Sequence, residues 1–229
     1  INAANLEINA EDAEKLKRDP RVLSIQQDRI VSATATQINP GWALDRLDQP
    51  YTGLNNQYNY VYDGTGTKIY ILDSGLDLSN SRVAAEFGGR AKIIYDVNGD
   101  YGRDCNGHGT AVASAAAGKI YGVAKNAGLV IGKITNGCTK ESTVSVIISA
   151  LNWIANNAGR GSIVNLSFGT SGCGAFFDRS LEEVIKAVHD SGIILVIAAG
   201  NNGCDISTNS FTKLPQAFVV GASQNKFLG

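Results

Sequence analysis

The chain has 229 residues, 44% of them hydrophobic, and a formal charge of −1. This composition predicts a globular protein with a substantial core, and the near-neutral charge, with no basic stripe, argues against a nucleic-acid partner. The longest apolar run, residues 193–199, is far shorter than the roughly 20 residues of a bilayer-spanning helix, so no membrane segment is predicted.

Residues 1–34 differ in character from the rest of the chain. Residues 10–19 predict a short, highly charged helix that ends at Pro20, and residues 22–31 alternate apolar and polar side chains like a strand with one buried face. Together they indicate a small α/β module rather than the start of a large domain. Residues 32–40 have neither periodicity nor charge and are predicted to be a linker.

From Lys68 onward, apolar strands alternate with helices. Strands that are apolar on both faces predict a mostly parallel sheet covered by helices on both sides, an α/β fold whose functional residues follow the carboxyl ends of the strands. The chain ends at Gly229 soon after the last strand, so we expect a truncated domain. The predicted strands are 68–73, 91–97, 128–134, 162–168, 192–199 and 217–223, and the predicted helices are 108–118, 142–157 and 179–191.

One histidine stands at the start of an unusual helix. Residues 106–118 pass from a glycine-containing loop into a run of alanine and serine, which predicts a helix packed closely on nearly all sides, with His108 in its first turn. An imidazole fixed at a helix end suits a general base, because imidazole ionises near neutral pH. A lone histidine is more often structural, and that alternative stays open for this motif by itself.

Two further polar residues follow buried strands. Asp73 ends the strand at 68–73, where burying a carboxylate is costly unless a partner such as an imidazole binds it. An aspartate in that position would fix the tautomer of His108 and stabilise its imidazolium form, although it could also be a simple turn cap. Asn201 follows another strand, where its amide would suit an oxyanion or merely form a turn.

The order and context of these motifs resemble the subtilisin-like serine proteases. Asp73 precedes Ser-Gly, His108 lies in His-Gly-Thr, and Asn201 ends Ala-Ala-Gly-Asn. The resemblance covers almost the whole chain and is strongest to the secreted proteinase K branch with its aqualysin-like enzymes, since residues 35–49, 121–124 and 165–169 also match. It implies a three-layer fold in a secreted, monomeric endopeptidase that acts on polypeptides without a catalytic cofactor.

The resemblance also implies roles for individual residues. Asp73 would orient His108, His108 would be the general base, and Asn201 would supply the oxyanion hole. Residues 167–169 and 198–200 would form the walls of the primary specificity pocket, which favours apolar or aromatic side chains, and residues 140–142 would form a strand that holds the substrate by strand addition. The implied substrate-binding residues are Lys140, Glu141, Ser142, Ser167, Phe168, Gly169, Ala198, Ala199 and Gly200.

By the same resemblance, residues 1–34 are the carboxyl-terminal part of an inhibitor-type propeptide, a small α+β unit. Residues 11–31 resemble its helix and last strand, and residues 35–229 resemble the amino-terminal portion of a catalytic domain. Such a propeptide acts as an intramolecular inhibitor of its own protease. We therefore expect processing near the bond between Thr34 and Ala35.

The chain departs from the family in one essential respect. The nucleophilic serine of these enzymes lies in a Gly-Thr-Ser-Met-Ala helix start, which the 229 residues do not contain. Ser167 belongs to the pocket strand and cannot replace it, so this chain alone is predicted not to hydrolyse peptides by the usual route. Either it is a fragment of an active protease, which its abrupt end favours, or the natural protein is a non-catalytic relative that binds or inhibits. Ala111 stands where relatives usually have a second histidine.

Four cysteines in loop-like surroundings predict two disulfides formed in an oxidising compartment. The resemblance implies a bond between Cys105 and Cys138. Cys173 and Cys204 both follow strands that flank the predicted pocket and could pair across its rim, unless the partner of Cys204 lies elsewhere.

A structural calcium site is also implied by the resemblance, since hard oxygen ligands suit Ca²⁺. A solvated polar turn is the alternative. A second familiar calcium site is expected to be broken, because Arg82 stands where an acidic ligand belongs. The implied ligands are Asp45, Asp48, Gln49 and Asn55, with Gln57 as a further candidate.

Overall fold

The computed structural model describes residues 4–27, 35–51, 53–170 and 172–223. The chain divides into two compact units, 1–34 and 35–229. Within the described ranges, no helix combines the length and the apolar character needed to cross a membrane.

Residues 4–27, the described part of the first unit, contain one helix, α1 (Ala10–Lys17), with no buried residue. Asn9 caps its start by accepting the backbone N–H of Asp12 at 2.9 Å. The strand predicted over 22–31 is wrong for residues 22–27, and its remainder lies outside the described residues. A strand needs a second strand that pairs with its backbone N–H and C=O groups, and residues 4–27 contain no such partner. The backbone N–H of Val22 instead donates to Asp19 O in a turn after the helix.

The second unit is an α/β domain with a six-stranded sheet. The sheet strands are β3 (Lys68–Asp73), β4 (Ala91–Asp96), β5 (Gly128–Lys133), β6 (Ile163–Leu166), β7 (Ile194–Ala198) and β8 (Ala217–Val220). Their order in the sheet is β4-β5-β3-β6-β7-β8, and every neighbouring pair is parallel. All six apolar strands predicted from the sequence are present in this sheet, and the three predicted helices are present in the domain. The helices are α2 (Trp42–Leu47), α3 (Ser81–Phe87), α4 (His108–Ala117), α5 (Val144–Asn157) and α6 (Arg179–Asp190), with a short 3₁₀ turn at Ile206–Thr208.

Hydrophobic clusters on the two faces of the sheet make three layers. On one face, Tyr70 and Leu72 of β3 pack in a cluster with residues of α5 and α6 such as Leu151 and Leu181. On the other face, residues of β3, including Ile71, join a second cluster with α3 and the alanines of α4. Because successive residues of a strand point to opposite faces, this double coverage explains why the sheet strands are apolar throughout.

Residues 35–38, predicted to be part of a linker, instead form a strand. This strand, β1 (Ala35–Ile38), pairs antiparallel with β2 (Gln57–Tyr60) in a separate two-stranded sheet. Thr36 donates its hydroxyl to the side chain of Asn59 across the pair, at 2.7 Å. The prediction failed because the pairing partner lies about twenty residues downstream and four residues are too few to show an alternating pattern.

The turn after β3 requires glycine for two reasons. Gly75 has φ +108°, and a Cβ there would lie 2.3 Å from the carbonyl oxygen of Gly102. Gly66 has a similar φ of +82° but no atom within 4 Å of the position of a Cβ. A side chain at Gly66 would therefore cause backbone strain alone, whereas a side chain at Gly75 would cause backbone strain and a steric clash.

We expect Gly66→Ala to lower the free energy of unfolding by about 1 kcal/mol, the usual strain of a left-handed conformation. Gly75→Ala should lower it by roughly 3 kcal/mol or more, because the turn must also move away from Gly102. Urea unfolding followed by circular dichroism measures both values. Equal losses in the two variants would contradict the close approach.

Candidate active site

An aspartate and a histidine meet at the carboxyl edge of the sheet. Asp73, the last residue of β3, is fully buried, and its Oδ1 lies 2.7 Å from Nδ1 of His108, the first residue of α4. The His108 side chain is 40% exposed. The same Asp73 oxygen also accepts the backbone N–H of Ser74 at 2.7 Å. A ring that donates from Nδ1 to a carboxylate has Nε2 free to accept a proton when the ring is neutral, which is the state a general base requires.

The environment of Asp73 is costly for a charge. Burial raises the pKa of Asp73 above its ordinary value, and the hydrogen bond with His108 opposes that rise. Its second oxygen, Oδ2, is buried without a hydrogen-bond partner among the described residues. The carboxylate therefore depends on His108 and Ser74 for its stabilisation.

The predicted pocket walls flank a cavity after β6 and β7. The cavity measures about 430 Å³ including the space at its open mouth, and its lining includes Gly169, Ala198, Ala199 and Gly200. Ser167 and Phe168 are not part of this lining. Ser167 accepts a hydrogen bond from the Asn165 amide, and Phe168 packs against the core between the sheet and helices α5 and α6. Of the predicted wall residues, only those with small side chains line the cavity.

Two loops close around this cavity. Cys173 on the first and Cys204 on the second form a disulfide, and both cysteines line the cavity. Asn209 donates its amide to the Thr170 hydroxyl at 2.6 Å. The rings of Phe176 and Phe211 stack with centroids 5.8 Å apart. Covalent, polar and aromatic contacts therefore hold the two loops together as one rim.

The second disulfide lies beside the histidine. Cys105 precedes α4 and is bonded to Cys138 in the loop after β5, as the resemblance implied. The Asn106 side chain donates to the Cys138 carbonyl at 3.1 Å, next to the same bridge. This cross-link ties the loop that leads to His108 onto the loop that leads to the predicted substrate-binding segment.

That segment, Lys140 to Ser142, is not a strand in this structure. Its contacts lie within its own loop: Asn136 donates its backbone N–H to Glu141 O at 3.1 Å, and the Ser142 hydroxyl donates to Ile134 O at 2.6 Å. A strand assignment needs a pairing partner, and the described chain supplies none at this position. Contact of this loop with a substrate stays a prediction.

Asn201 is exposed on the loop after β7. In the parallel register Leu72 of β3 lies beside Leu166 of β6, which lies beside Ile197 of β7. The loops that follow these strands therefore emerge from the same edge of the sheet. Asp73, the last residue of β3, lies at this edge, and His108 contacts it there. The edge thus brings together the carboxylate, the imidazole, the loop of Asn201 and the cavity.

The residues implied for calcium are engaged in other contacts. Both carboxylate oxygens of Asp45 accept backbone N–H groups, from Asn55 at 3.0 Å and from Asn56 at 2.6 Å. Asp48 accepts the side-chain amide of Gln49 at 3.2 Å and the backbone N–H of Asn59 at 2.7 Å. Among the described residues, no group of three or more His, Cys, Asp or Glu could hold a metal ion. As arranged, these side chains do not form a ligand cage, and calcium at this place stays a prediction.

Comparison with known proteins identifies the family. The subtilase family of peptidases, peptidase S8, matches residues 64–226, which include Asp73, His108 and Asn201. The chain belongs to this family. The geometry of Asp73 and His108 thus occurs in a chain whose family consists of serine proteases.

Several relatives share this similarity. Alkaline serine exoprotease A of Vibrio alginolyticus is 38% identical over 94% of this chain and 40% of its own length. Extracellular serine proteinase of a Thermus species is 34% identical over 97% of this chain and 52% of its own length. A crystal structure of a cold adapted subtilisin-like serine proteinase matches with a TM-score of 0.73 and 35% identity, over 81% of this chain and 65% of that chain. The chain therefore spans about half the length of the curated relatives it matches.

The raised pKa of Asp73 predicts a pH dependence of stability. A carboxyl whose pKa is higher in the folded state stabilises the fold fully below its ordinary value of 3.8, and this contribution is lost as the pH rises through the folded value. We expect the free energy of unfolding of the wild type, minus that of Asp73→Asn, to fall as the pH rises above about 4.

Urea unfolding at several pH values measures this difference. Asp205 provides the control, because hydrogen bonds from Ser207 lower its pKa, so Asp205→Asn should give a slope of the opposite sign. A difference for Asp73→Asn that does not change between about pH 3 and pH 7 would contradict the prediction.

Proposed function

We propose that the protein to which this chain belongs is a secreted serine endopeptidase of the subtilisin type. The observation that carries the proposal is the 2.7 Å contact between Asp73 Oδ1 and His108 Nδ1 at the carboxyl edge of the sheet, in a chain of the subtilase family. Secretion is supported by the two disulfides and by the extracellular name of the Thermus relative.

In this proposal His108 is the general base. Its Nε2 takes the proton from the nucleophilic hydroxyl, while Asp73 holds the ring in position and stabilises the imidazolium that forms. The proton then passes from Nε2 to the leaving amine. The Asn201 amide donates to the oxyanion of the tetrahedral intermediate, a contribution worth roughly 10²–10³ in rate in subtilisin, the example from which that range is known.

The nucleophile is proposed to lie outside these 229 residues. Within them, the Gly-Thr-Ser-Met-Ala sequence that carries it in the family does not occur. Ser167 is a poor substitute, because its hydroxyl accepts a hydrogen bond from Asn165 at the end of β6. We therefore expect the chain of 229 residues alone not to hydrolyse peptides, and the protein of natural length to do so.

The cavity after β6 and β7 is proposed to bind a substrate side chain. Its walls contain glycine and alanine, Phe211 and Ile206 also line it, and polar residues including Asp205 and Thr212 complete the lining. The small walls leave room for a side chain, and Phe211 and Ile206 offer it apolar contact. We propose polypeptides with apolar or aromatic side chains at this position as the substrates.

Labelling of the natural-length protein by a fluorophosphonate probe tests the mechanism. The probe reacts with an activated serine, so we expect the wild type to be labelled and His108→Ala to lose labelling together with about 10⁴-fold or more of kcat. His189→Ala is the matched control, because His189 lies on α6 with a half-exposed side chain beside Asp190, and this variant should behave like the wild type.

The competing function is a pseudoprotease that binds peptides without cleaving them. The nucleophile motif does not occur within these 229 residues, and this observation keeps the alternative open. A natural-length wild type that binds peptides but is neither labelled nor active would establish this alternative and overturn the proposed catalysis.

We propose that residues 1–34 are removed when the enzyme matures and that they inhibit it until then. The boundary between the two compact units falls between Thr34 and Ala35, at the predicted processing site. Thr34 itself lies outside the described residues, and Ala35 begins β1. A cut at this bond would leave β1 intact.

Amino-terminal sequencing of the mature protein should therefore begin at Ala35 or within a few residues of it. The isolated segment 1–34 should inhibit the mature enzyme when added back. A mature protein with an intact bond between Thr34 and Ala35 would contradict the proposal, as would a segment without effect on activity.

A further inference from the structure

A second aspartate, which the sequence analysis did not single out, lies behind the histidine. Asp104 is 5% exposed and accepts five hydrogen bonds. Its Oδ1 accepts the hydroxyl of Ser74 at 3.0 Å and the backbone N–H groups of Asn106 and Gly107, each at 2.9 Å. Its Oδ2 accepts the backbone N–H of Thr110 at 2.9 Å and the Thr110 hydroxyl at 2.7 Å. The carboxylate thus holds the backbone on both sides of His108.

Ser74 connects this aspartate to Asp73. Its hydroxyl donates to Asp104 and accepts the backbone N–H of Gly109 at 2.8 Å. Its own backbone N–H donates to Asp73 Oδ1, the oxygen that contacts His108. One residue therefore joins the end of β3 to the first turn of α4, with the Asp73 carboxylate on one side and the Asp104 carboxylate on the other.

The close packing here leaves little freedom. A Cβ on Gly109 would lie 2.4 Å from the carbonyl oxygen of Gly75, so the first turn of α4 lies directly against the turn after β3. Burial raises the pKa of Asp104, but hydrogen bonds from Thr110 and from the backbone outweigh it and hold this pKa below its ordinary value. The group is therefore a carboxylate at neutral pH, and its charge also suits the amino-terminal end of a helix.

We propose that Asp104 is a positioning residue for the reaction: through Ser74 and the first turn of α4, it sets the distance and direction between Asp73 and the His108 ring. This inference rests on the proposed function. A catalytic base displaced by about 1 Å can lose roughly 10²-fold in rate, because the proton transfer needs a precise geometry. The role is separate from that of Asp73, since none of the described hydrogen bonds joins Asp104 to the imidazole ring.

An ordinary helix cap would stabilise α4 without affecting the ring. Asp178 provides that comparison within the same chain, because its carboxylate caps α6 by accepting the Leu181 backbone N–H at 2.9 Å. Loss of either cap should lower the urea midpoint of unfolding. Only the loss of Asp104 should change the contact between Asp73 and His108.

The test uses the natural-length protein with ¹⁵N-labelled histidine. A ring N–H that donates to a carboxylate and is sheltered from solvent gives a strongly downfield proton resonance, which the variant His108→Gln assigns by its disappearance. We expect this Nδ1 proton to be visible in the wild type and in Asp178→Ala, and to be lost or broadened in Asp104→Ala. For the same variant, kcat should fall about 10- to 100-fold while KM changes less than about 3-fold.

Two milder variants keep the test decisive if Asp104→Ala does not fold. Ser74→Ala removes the link to β3 but keeps the contacts of Asp104 with α4. Asp104→Asn keeps the shape but replaces one accepting carboxylate oxygen with an NH2 group that can only donate. Like Asp104→Ala, both variants should weaken the Nδ1 resonance and lower kcat.

The outcomes separate the two proposals. If the wild type lacks the downfield resonance, the contact between Asp73 and His108 is absent and the proposed function fails with it. If the wild type shows the resonance and the Asp104 and Ser74 variants retain both it and a kcat within about twofold of the wild type, the positioning role alone is overturned.

Discussion

Burial of the Asp73 carboxylate is the constraint on which the rest of the site depends. A charge at the end of a central strand, with one oxygen unpartnered among the described residues, must be stabilised by what lies beside it. His108 and Ser74 provide that stabilisation, and both can approach only because Gly75 and Gly109 leave no side chain between the turn and the helix. Glycine is therefore required at these two positions, because the turn after β3 and the first turn of α4 must approach each other closely beside the buried carboxylate.

The parallel sheet turns distant parts of the sequence into neighbours. β3 lies between β5 and β6, and β7 lies beyond β6, so the loops after four strands emerge at one edge. Both faces of these strands are covered by helices, which leaves the edge as the place where polar groups reach solvent. The carboxylate, the imidazole and the cavity lie close together because the neighbouring parallel strands all end at this edge.

The strands and the helix α4 could be predicted because each has a local signal. Segments such as 68–73 are apolar on both faces, and His108 opens a helix of small residues. The pairing of Asp73 with His108 has no such local signal and was implied by the resemblance of the motifs to those of subtilisin-like proteases. The strand β1 and the absence of a strand at 22–27 could not be predicted, because both depend on whether a partner exists elsewhere in the chain. Asp104 was missed for a similar reason. It lies four residues before His108 in a loop where aspartates are common, and its importance comes from Ser74, thirty residues away.

Both halves of the site are cross-linked beyond the ends of the strands by a disulfide and by hydrogen bonds. At the cavity rim, the disulfide between Cys173 and Cys204 and the stacked rings of Phe176 and Phe211 act together with backbone hydrogen bonds that join Phe176 to residues 208 and 210. Beside His108, the disulfide between Cys105 and Cys138 acts together with the polar contacts through Ser74 and Asp104. In the proposed function, a general base and a specificity pocket both need a fixed geometry, because a displacement of about 1 Å can cost roughly 10²-fold in rate. The restraints on both sides of this edge of the sheet match that requirement.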